Sequence, residues 1–347
     1  MCTGPCVRLW RKIPCQRKRR KVSSGEAFLF HVFFKKILDV EGHAEELVRS
    51  SLPPAILEGL DLSTLKEEKG SFLGEELSEY FSDLLYTCQF KGALIRIALL
   101  FEHKSYVDHD LPFQIHLYTG GFWERCRKQK IERTPIIPIV IYHGERKWQP
   151  GLLSDCFKEL PSMIKPFIPD SEYIFVDLSN WSDEEINNKL FAMVSMKFCM
   201  LILKNIFDPD KLKDNIKEYF ELASSLFEDE EGLKIIKNAI EYIFKATDLQ
   251  PEYVAETIGT VSLKGKELAM TTAERLMNEG RNQGEEIGVL KGMYNEKYQT
   301  IMELRDFKMK PEEIAKITRL TPEKVKEVLA AGDKGLDLLI GNNATKH

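Results

Sequence analysis

Two apolar runs joined by a short glycine-containing link constrain the fold of this chain more than any other feature. Residues 84–90 read LLYTCQF and residues 94–101 read LIRIALLF, with Lys91, Gly92 and Ala93 between them. Apolar runs of strand length that flank a tight, glycine-containing turn predict an antiparallel β-hairpin. The chain is therefore expected to contain a sheet, although much of its remaining sequence has helical periodicity.

Charged residues stand at the outer ends of both predicted strands. Asp83 precedes the first run, Glu102 closes the second, and His103 and Lys104 follow it directly. In an antiparallel hairpin the start of one strand lies beside the end of the other, and alternate residues share a face, so Asp83, Glu102 and Lys104 are expected to come together. Two carboxylates can bind Mg²⁺, and a neighbouring lysine can orient or activate a water that hydrolyses a phosphodiester. A solvated ion pair at a strand end is the alternative, because this spacing is common.

Six segments between residues 33 and 148 form a pattern that covers about a third of the chain. They are FFKKIL at 33–38, LPPAILEGLDLSTL at 52–65, GSFLGEELSEYFSDLLY at 70–86, LLFEHKSYVDHDLPFQIHLY at 99–118, FWER at 122–125 and PIIPIVIYHGERKW at 135–148. In their order and spacing they resemble the recombination-promoting nuclease (Rpn) family, also described as YhgA-like transposases, of the PD-(D/E)XK nuclease superfamily. The stretch AERLMNEGRNQGEEIG and the C-terminal segment look like the same family.

The resemblance implies both a fold and a function. The expected fold is α/β, with a PD-(D/E)XK (restriction-endonuclease-like) mixed sheet flanked by helices and a C-terminal helical extension. The expected activity is Mg²⁺-dependent DNA cleavage that promotes recombination, with Mn²⁺ as a substitute metal and DNA as the partner. By resemblance Asp83 and Glu102 would bind the metal, and Lys104 would orient or activate the water.

One position departs from the family pattern. In the family the first helix begins with a His-Asp pair whose acid can join the active site, whereas alignment on FFKK places Phe30 and His31 there. The chain thus lacks that acid, and His31 is an accessory candidate with a structural role as its alternative. A catalytically impaired DNA-binding or assembly protein that retains the nuclease fold is the competing function. A third is a structural partner that acts through its helical tail.

Further accessory candidates lie after the hairpin. Gln114 and Tyr118 are four residues apart on a helix predicted over 111–128, and some relatives in the superfamily have a Gln-x-x-x-Tyr pair there. The alternative for Tyr118 is a core position. His143 follows a buried strand predicted over 135–142 and could face the site.

A basic helix end is the candidate contact for the DNA backbone. It comprises Arg125, Arg127, Lys128, Lys130 and Arg133, of which the first three are the predicted backbone contacts, and a solvated helix end is the alternative. The net charge of the whole chain is only −5, so DNA binding would depend on such local surfaces.

The remaining chain gives an expected order of elements. Helices are predicted over 26–49 and 55–60, strands over 71–73 and 172–178, and a helical region over 183–258 that Ser179 or Ser182 caps. The expected domains are a disordered basic leader (1–24), the nuclease-like domain (25–180), a helical region packing on its core (181–265), a glycine-spaced charged helix or linker (266–294), a helix-turn-helix-like segment (295–333) and a flexible tail (334–347).

The C-terminal third suggests association with a partner. Gly280, Gly284, Gly288 and Gly292 recur every four residues, which suits either a closely packed helix or a linker. Helices over 298–308, 311–320 and 321–330, the last capped by Thr321, would form either a DNA-reading module or a small bundle for self-association. A homo-oligomer through these helices is therefore expected as one possibility.

The composition of the chain indicates its expected cellular location. No apolar run reaches the roughly 18 residues of a membrane span, and no signal-peptide pattern is present, so no membrane partner is expected. The seven cysteines have no zinc-site spacing, which favours a reducing cytoplasm.

Overall fold

A five-stranded mixed sheet lies at the centre of the first of two compact units, Met1–Met270. The structure is a computed structural model that describes residues 24–68, 84–102, 109–144 and 147–341. Strand order follows chain order: the first three strands are antiparallel to one another, whereas the third, fourth and fifth are parallel. The strands are β1 (Leu60–Glu67), β2 (Leu84–Phe90), β3 (Ala93–Glu102), β4 (Ile136–Tyr142) and β5 (Ile174–Asp177).

The predicted hairpin is confirmed as β2 and β3. Leu84 pairs with Leu99, and Phe90 pairs with Ala93 across the turn. The turn residues Lys91 and Gly92 have φ of 49° and 83°. Two successive positive φ values match the right-handed twist of the flanking strands, and only the glycine adopts them without cost.

Helices cover both faces of this sheet. The crossover from β3 to the parallel strand β4 passes through a long helix on one face, and the other helices share a large core with the opposite face. The helices of the first unit are α1 (Ser24–Leu38), α2 (His43–Ser51), α3 (Pro54–Leu57), α4 (Leu111–Gln129), α5 (Asp183–Glu185, continued by a π-helical turn over Ile186–Leu190), α6 (Val194–Asn205), α7 (Pro209–Leu222), α8 (Glu230–Ala246) and α9 (Pro251–Gly259).

Strand β4 is buried on both faces, which explains its uninterrupted apolar sequence. Ile139 and Ile141 belong to the core shared with α1 and α6, whereas Val140 and Tyr142 belong to the smaller core under α4. All four side chains are fully buried. The sheet therefore has an α4 face and an α1 face, and alternate residues of each strand divide between them.

The structure departs from the predicted elements in two regions. The single helix expected over 26–49 is two helices, because Gly42 has a φ of 85° that breaks the helical path between α1 and α2. Strand β1 was not predicted, since the register shift between Asp61 and Lys66 disrupts the alternation of its apolar residues. The strand expected over 71–73 lies outside the described residues.

Several local predictions are confirmed. Helix α4 and strands β4 and β5 lie where their patterns indicated. Of the two serines considered as a cap, Ser182 accepts a hydrogen bond of 3.0 Å from the backbone N–H of Glu185. Cys88, Cys126 and Cys199 are buried free thiols, and Cys156 is half-buried. No described helix is long and apolar enough to cross a membrane.

The second unit, Thr271–His347, is helical in its described part. Gly280 and the other glycines spaced by four lie within one continuous helix. Thr321 caps the helix that begins at Pro322 by accepting a 3.2 Å hydrogen bond from the N–H of Lys324, as predicted. The helices are α10 (Leu263–Asp306), which begins in the first unit, α11 (Pro311–Thr318), α12 (Pro322–Ala331) and α13 (Gly335–Gly341).

Candidate active site

Three strand ends meet at the edge of the sheet where the catalytic residues are predicted. Strand β2 begins there at Leu84, and β3 and β4 end there at Glu102 and Tyr142, whose backbones pair in parallel register. We call this the Glu102 edge. Asp83, His103 and Lys104 lie outside the described residues, and the structure describes Glu102 through its backbone. The strands that lead to these residues thus lie side by side, and the site and the roles of its side chains stay predictions.

His143 lies one residue beyond the Glu102 edge and is buried. Its ring stacks on Phe30 at 4.7 Å and meets Phe207 at 4.6 Å between ring centroids. Its Nε2 donates a hydrogen bond to the backbone carbonyl of Leu203. His143 therefore links the end of β4 to α1 and α6, and a structural role accounts for these contacts.

His31 occupies the position of the missing family acid. It is half-buried on α1, next to the Phe30 ring that stacks on His143. Burial lowers the pKa of His31 below its usual 6.5, and the positive charge of Lys35 lowers it further. A neutral imidazole at this position could accept a hydrogen bond or bind a metal ion, but it does not supply negative charge.

The two accessory candidates on α4 differ in burial. Tyr118 is 1% exposed and packs in the core under α4 with Leu85 and Tyr142. Gln114, one turn earlier, is half-buried. The burial of Tyr118 fits its core alternative, and the first residue of the helix, Leu111, belongs to the same core as Tyr142.

An acidic residue partly neutralises the predicted DNA-backbone contacts. Arg127 donates two hydrogen bonds of 2.7 Å to the carboxylate of Glu124, and Lys128 lies 4.0 Å from the same carboxylate. The hydrogen bond with Arg127 lowers the pKa of Glu124 and raises that of Arg127. Arg125, in contrast, is half-buried. The basic helix end thus contains its own counter-charge.

The described part of the chain offers no alternative metal centre. Within residues 24–68, 84–102, 109–144 and 147–341, no three His, Cys, Asp or Glu side chains lie close enough together to hold a metal ion. This statement does not include the predicted ligands Asp83 and Glu102, because their side chains are not described.

A cleft of about 550 Å³ beside the Glu102 edge was not predicted from the sequence. Its walls come from the start of α4, including Phe113, and from the segment between Trp148 and Lys158. The Trp148 ring contacts that of Tyr142 edge-on at 5.1 Å, and the backbone of Tyr142 pairs with Glu102. One ring contact and one backbone pairing therefore separate the cleft from the predicted metal ligand. No sequence pattern indicates it, because its two walls are distant in the chain.

Comparison with known proteins identifies a family. The profile of the family described as "Putative transposase, YhgA-like" matches residues 31–234, which is more than half of the chain. The chain is 26% identical over 293 residues to an Escherichia coli K12 protein named inactive recombination-promoting nuclease-like protein RpnE, covering 83% of this chain and 93% of that protein.

Two further relatives are named as nucleases. The chain is 27% identical to recombination-promoting nuclease RpnA of Escherichia coli K12 over 71% of its own length and 82% of the relative's. It is 29% identical to RpnC of the same organism over 44% and 51% of the two lengths. No solved structure matches the chain significantly.

Proposed function

This chain belongs to the YhgA-like transposase family, and from that premise we propose that it is a Mg²⁺-dependent DNA endonuclease that promotes recombination. The observation that carries the proposal is the convergence of strand ends at the Glu102 edge. The hairpin register runs to Leu84, the residue next to Asp83, and the backbone pairing of β3 with β4 runs to Glu102 itself. Relatives named recombination-promoting nucleases support the choice of reaction.

The proposed fold is the PD-(D/E)XK core. A mixed sheet with helices on both faces has the layers that this core requires. The proposed site requires the carboxylates of Asp83 and Glu102 to lie on the α4 face. On the strands beside them, Leu85 and Tyr142 lie on that face.

The proposed donor set suits a hard cation. Two carboxylates supply the oxygen ligands that Mg²⁺ prefers, and Mn²⁺ would be accepted in its place. When bound, the metal lowers the pKa of a water and offsets the charge on the phosphoryl oxygens. Asp83 and Glu102 would hold the ion, while the ammonium group of Lys104 would orient the attacking water or stabilise the developing negative charge.

The proposed DNA partner requires contacts to the phosphate backbone. Arg127 and Lys128 are exposed on α4 and can reach a phosphate if the duplex displaces Glu124. Arg125 is the third candidate on this helix, with less exposed surface.

A catalytically impaired DNA-binding protein is the second candidate, and two observations favour it. His31 stands where the family has an acid, so the proposed site has one carboxylate fewer. A relative that matches 83% of the chain is named inactive. Under this alternative the fold and the DNA contacts would persist without cleavage.

Cleavage of supercoiled plasmid by the purified full-length chain tests the proposal. Wild type, Asp83→Ala and Lys104→Ala are compared in Mg²⁺, in Mn²⁺ and in EDTA, with Glu58→Ala, an exposed acid on another part of the unit, as the control. The proposal expects metal-dependent nicking by wild type and by Glu58→Ala, and none by the other two variants. Nicking that survives Asp83→Ala would refute the assigned site. A folded wild-type protein that binds DNA and never cuts it would favour the impaired alternative.

A further inference from the structure

We propose that the cleft beside the Glu102 edge binds one unpaired nucleobase, so that the DNA substrate of this protein contains an unpaired nucleotide next to the cut. This inference rests on the proposed function and adds a substrate class to it. The cleft volume of about 550 Å³ lies within the roughly 300–1,000 Å³ of small-molecule sites. The contact of Trp148 with Tyr142 places the cleft next to the strand ends where cleavage is proposed.

The cleft wall is held in shape without a ligand. Tyr173 donates a 2.8 Å hydrogen bond to the carbonyl of Gly151, and the carboxylate of Asp155 accepts one of 2.8 Å from the N–H of Leu152. The thiol of Cys156 donates to the carbonyl of His109 at 3.3 Å, which joins this wall to the start of α4. Because the wall is already ordered, a base would bind with little loss of conformational entropy.

One phenyl ring of the cleft offers a surface on which a base can stack. Phe113 lines the cleft and is 36% exposed, whereas Phe157, whose ring centroid lies 5.9 Å from that of Phe113, lies outside the cleft lining. Trp148 is the larger ring but is buried, since Tyr142 and Phe175 pack against it edge-on. Phe113 lines the cleft from the first turn of the 19-residue helix α4, so its backbone is firmly held. Aromatic side chains on rigid elements are the usual stacking partners of unpaired bases.

The charges of the cleft favour a base and not a phosphate. Asp110 and Asp155 both line it, with Lys158 as the cation among its lining residues. Carboxylates repel a phosphate but accept hydrogen bonds from exocyclic amino groups, as in their pairing with cytosine N4. A base that carries an amino group, such as cytosine, is therefore expected to bind better than thymine.

Binding in EDTA tests the inference separately from cleavage. The probe is a fluorescent hairpin duplex with one bulged cytosine, compared with the same hairpin carrying a bulged thymine, an abasic bulge or no bulge. Fluorescence anisotropy measures the affinity of the full-length protein for each. We expect the bulged cytosine to bind about tenfold tighter than the fully paired hairpin, which is the usual size of one stacking contact. The thymine bulge should bind more weakly, and the abasic bulge should bind like the paired hairpin.

Three variants locate the effect. Phe113→Ala should lose the preference for the bulged cytosine, and Phe113→Trp should keep it, because an indole also stacks. Leu117→Ala, which removes a 60% exposed side chain one turn along α4 outside the cleft lining, is the matched control and should bind all hairpins like wild type. Thermal denaturation verifies that each variant is folded.

The outcomes separate the two proposals. An unchanged bulge preference in Phe113→Ala, or an equal loss of affinity for the paired hairpin, would overturn the base site. So would equal binding of thymine and cytosine bulges. A wild type that shows the Phe113-dependent preference but cleaves neither plasmid nor the bulged-cytosine hairpin in Mg²⁺ or Mn²⁺ would leave the base site standing and reject the endonuclease.

Discussion

The Nε2 of His43 accepts a 2.7 Å hydrogen bond from the hydroxyl of Ser195, 152 residues further along the chain. The other ring nitrogen, Nδ1, donates at 2.8 Å to the carbonyl of Ile37. A carbonyl only accepts, so Nδ1 carries a proton; burial lowers the pKa of His43 and favours the neutral ring, whose Nε2 then accepts from the Ser195 hydroxyl. Both residues are buried, so this pair joins the break between α1 and α2 to the start of α6.

The neutral state of His43 predicts that the protein loses stability in mild acid. Burial lowers the pKa of His43 below 6.5, outweighing the contact with Ile37 and the charge of Glu46 that raise it. Below about pH 6.5 the unfolded chain therefore binds protons that the folded chain does not, and the free energy of unfolding decreases by up to about 1.4 kcal/mol per pH unit. Above that pH the contribution is fully present. The lowered pKa of His31 acts in the same direction.

Urea denaturation of wild type and His43→Gln at about pH 7.5 and about pH 5.5 measures this dependence. The variant should be less stable than wild type at the higher pH. Its free energy of unfolding should decrease less on acidification, because it lacks one titrating group. His116→Gln on α4 is the control and should keep the wild-type loss. Equal acid losses in wild type and His43→Gln would show that another group is responsible.

The hydrogen bonds of Glu46 predict that its removal destabilises the protein more than removal of the neighbouring Glu45. Its carboxylate accepts hydrogen bonds of 2.8 Å and 2.9 Å from the backbone N–H groups of Ala192 and Met193, just before α6. Removing this cap by Glu46→Ala should lower the free energy of unfolding by about 1–2 kcal/mol. Glu45→Ala, which removes only a 2.6 Å ion pair with exposed Arg49, should change it by less than about 0.5 kcal/mol. If chemical denaturation shows the same loss of unfolding free energy in both variants, Glu46 does not act as a cap.

Glu124 predicts that removing an acid tightens DNA binding. Glu124→Gln frees Arg127 and Lys128 from their counter-charge, so an additional phosphate contact should form. Affinity for duplex DNA should rise severalfold at low salt, and the slope of log affinity against log salt should steepen by about one. Glu58→Gln, which removes an exposed acid elsewhere, should leave the slope unchanged. A slope that does not change in Glu124→Gln would exclude this helix end from the DNA interface.

Replacing His31 by the acid of the family pattern is predicted to improve metal-dependent DNA cleavage. His31→Asp restores the acid of the family pattern on α1, next to the Phe30 ring that stacks on His143. In the family pattern the acid at this position joins the metal site, so the added carboxylate should lower the Mg²⁺ concentration needed for plasmid nicking severalfold. His31→Asn matches its size without the charge and should behave like wild type. If both variants respond alike, the position does not influence the metal.

The sequence by itself determined the elements whose signals are local. The hairpin of β2 and β3, helix α4, the buried strand β4 and the cap at Thr321 each depend on residues within a few positions of one another. The family was recognisable for a related reason, because its segments are ordered along the chain. The side-chain geometry of Asp83, Glu102 and Lys104 stays a prediction from that pattern.

Contacts between distant segments were decided only by the tertiary structure. The break at Gly42 accommodates Met193, whose Sδ would lie 3.0 Å from an added Cβ, and the His43–Ser195 pair closes the same corner. The cleft forms where Trp148 packs on Tyr142 while Phe113 approaches from α4. Such positions depend on how apolar faces pack into one core and on which buried polar groups then find partners, and neither is encoded in the periodicity of a single segment.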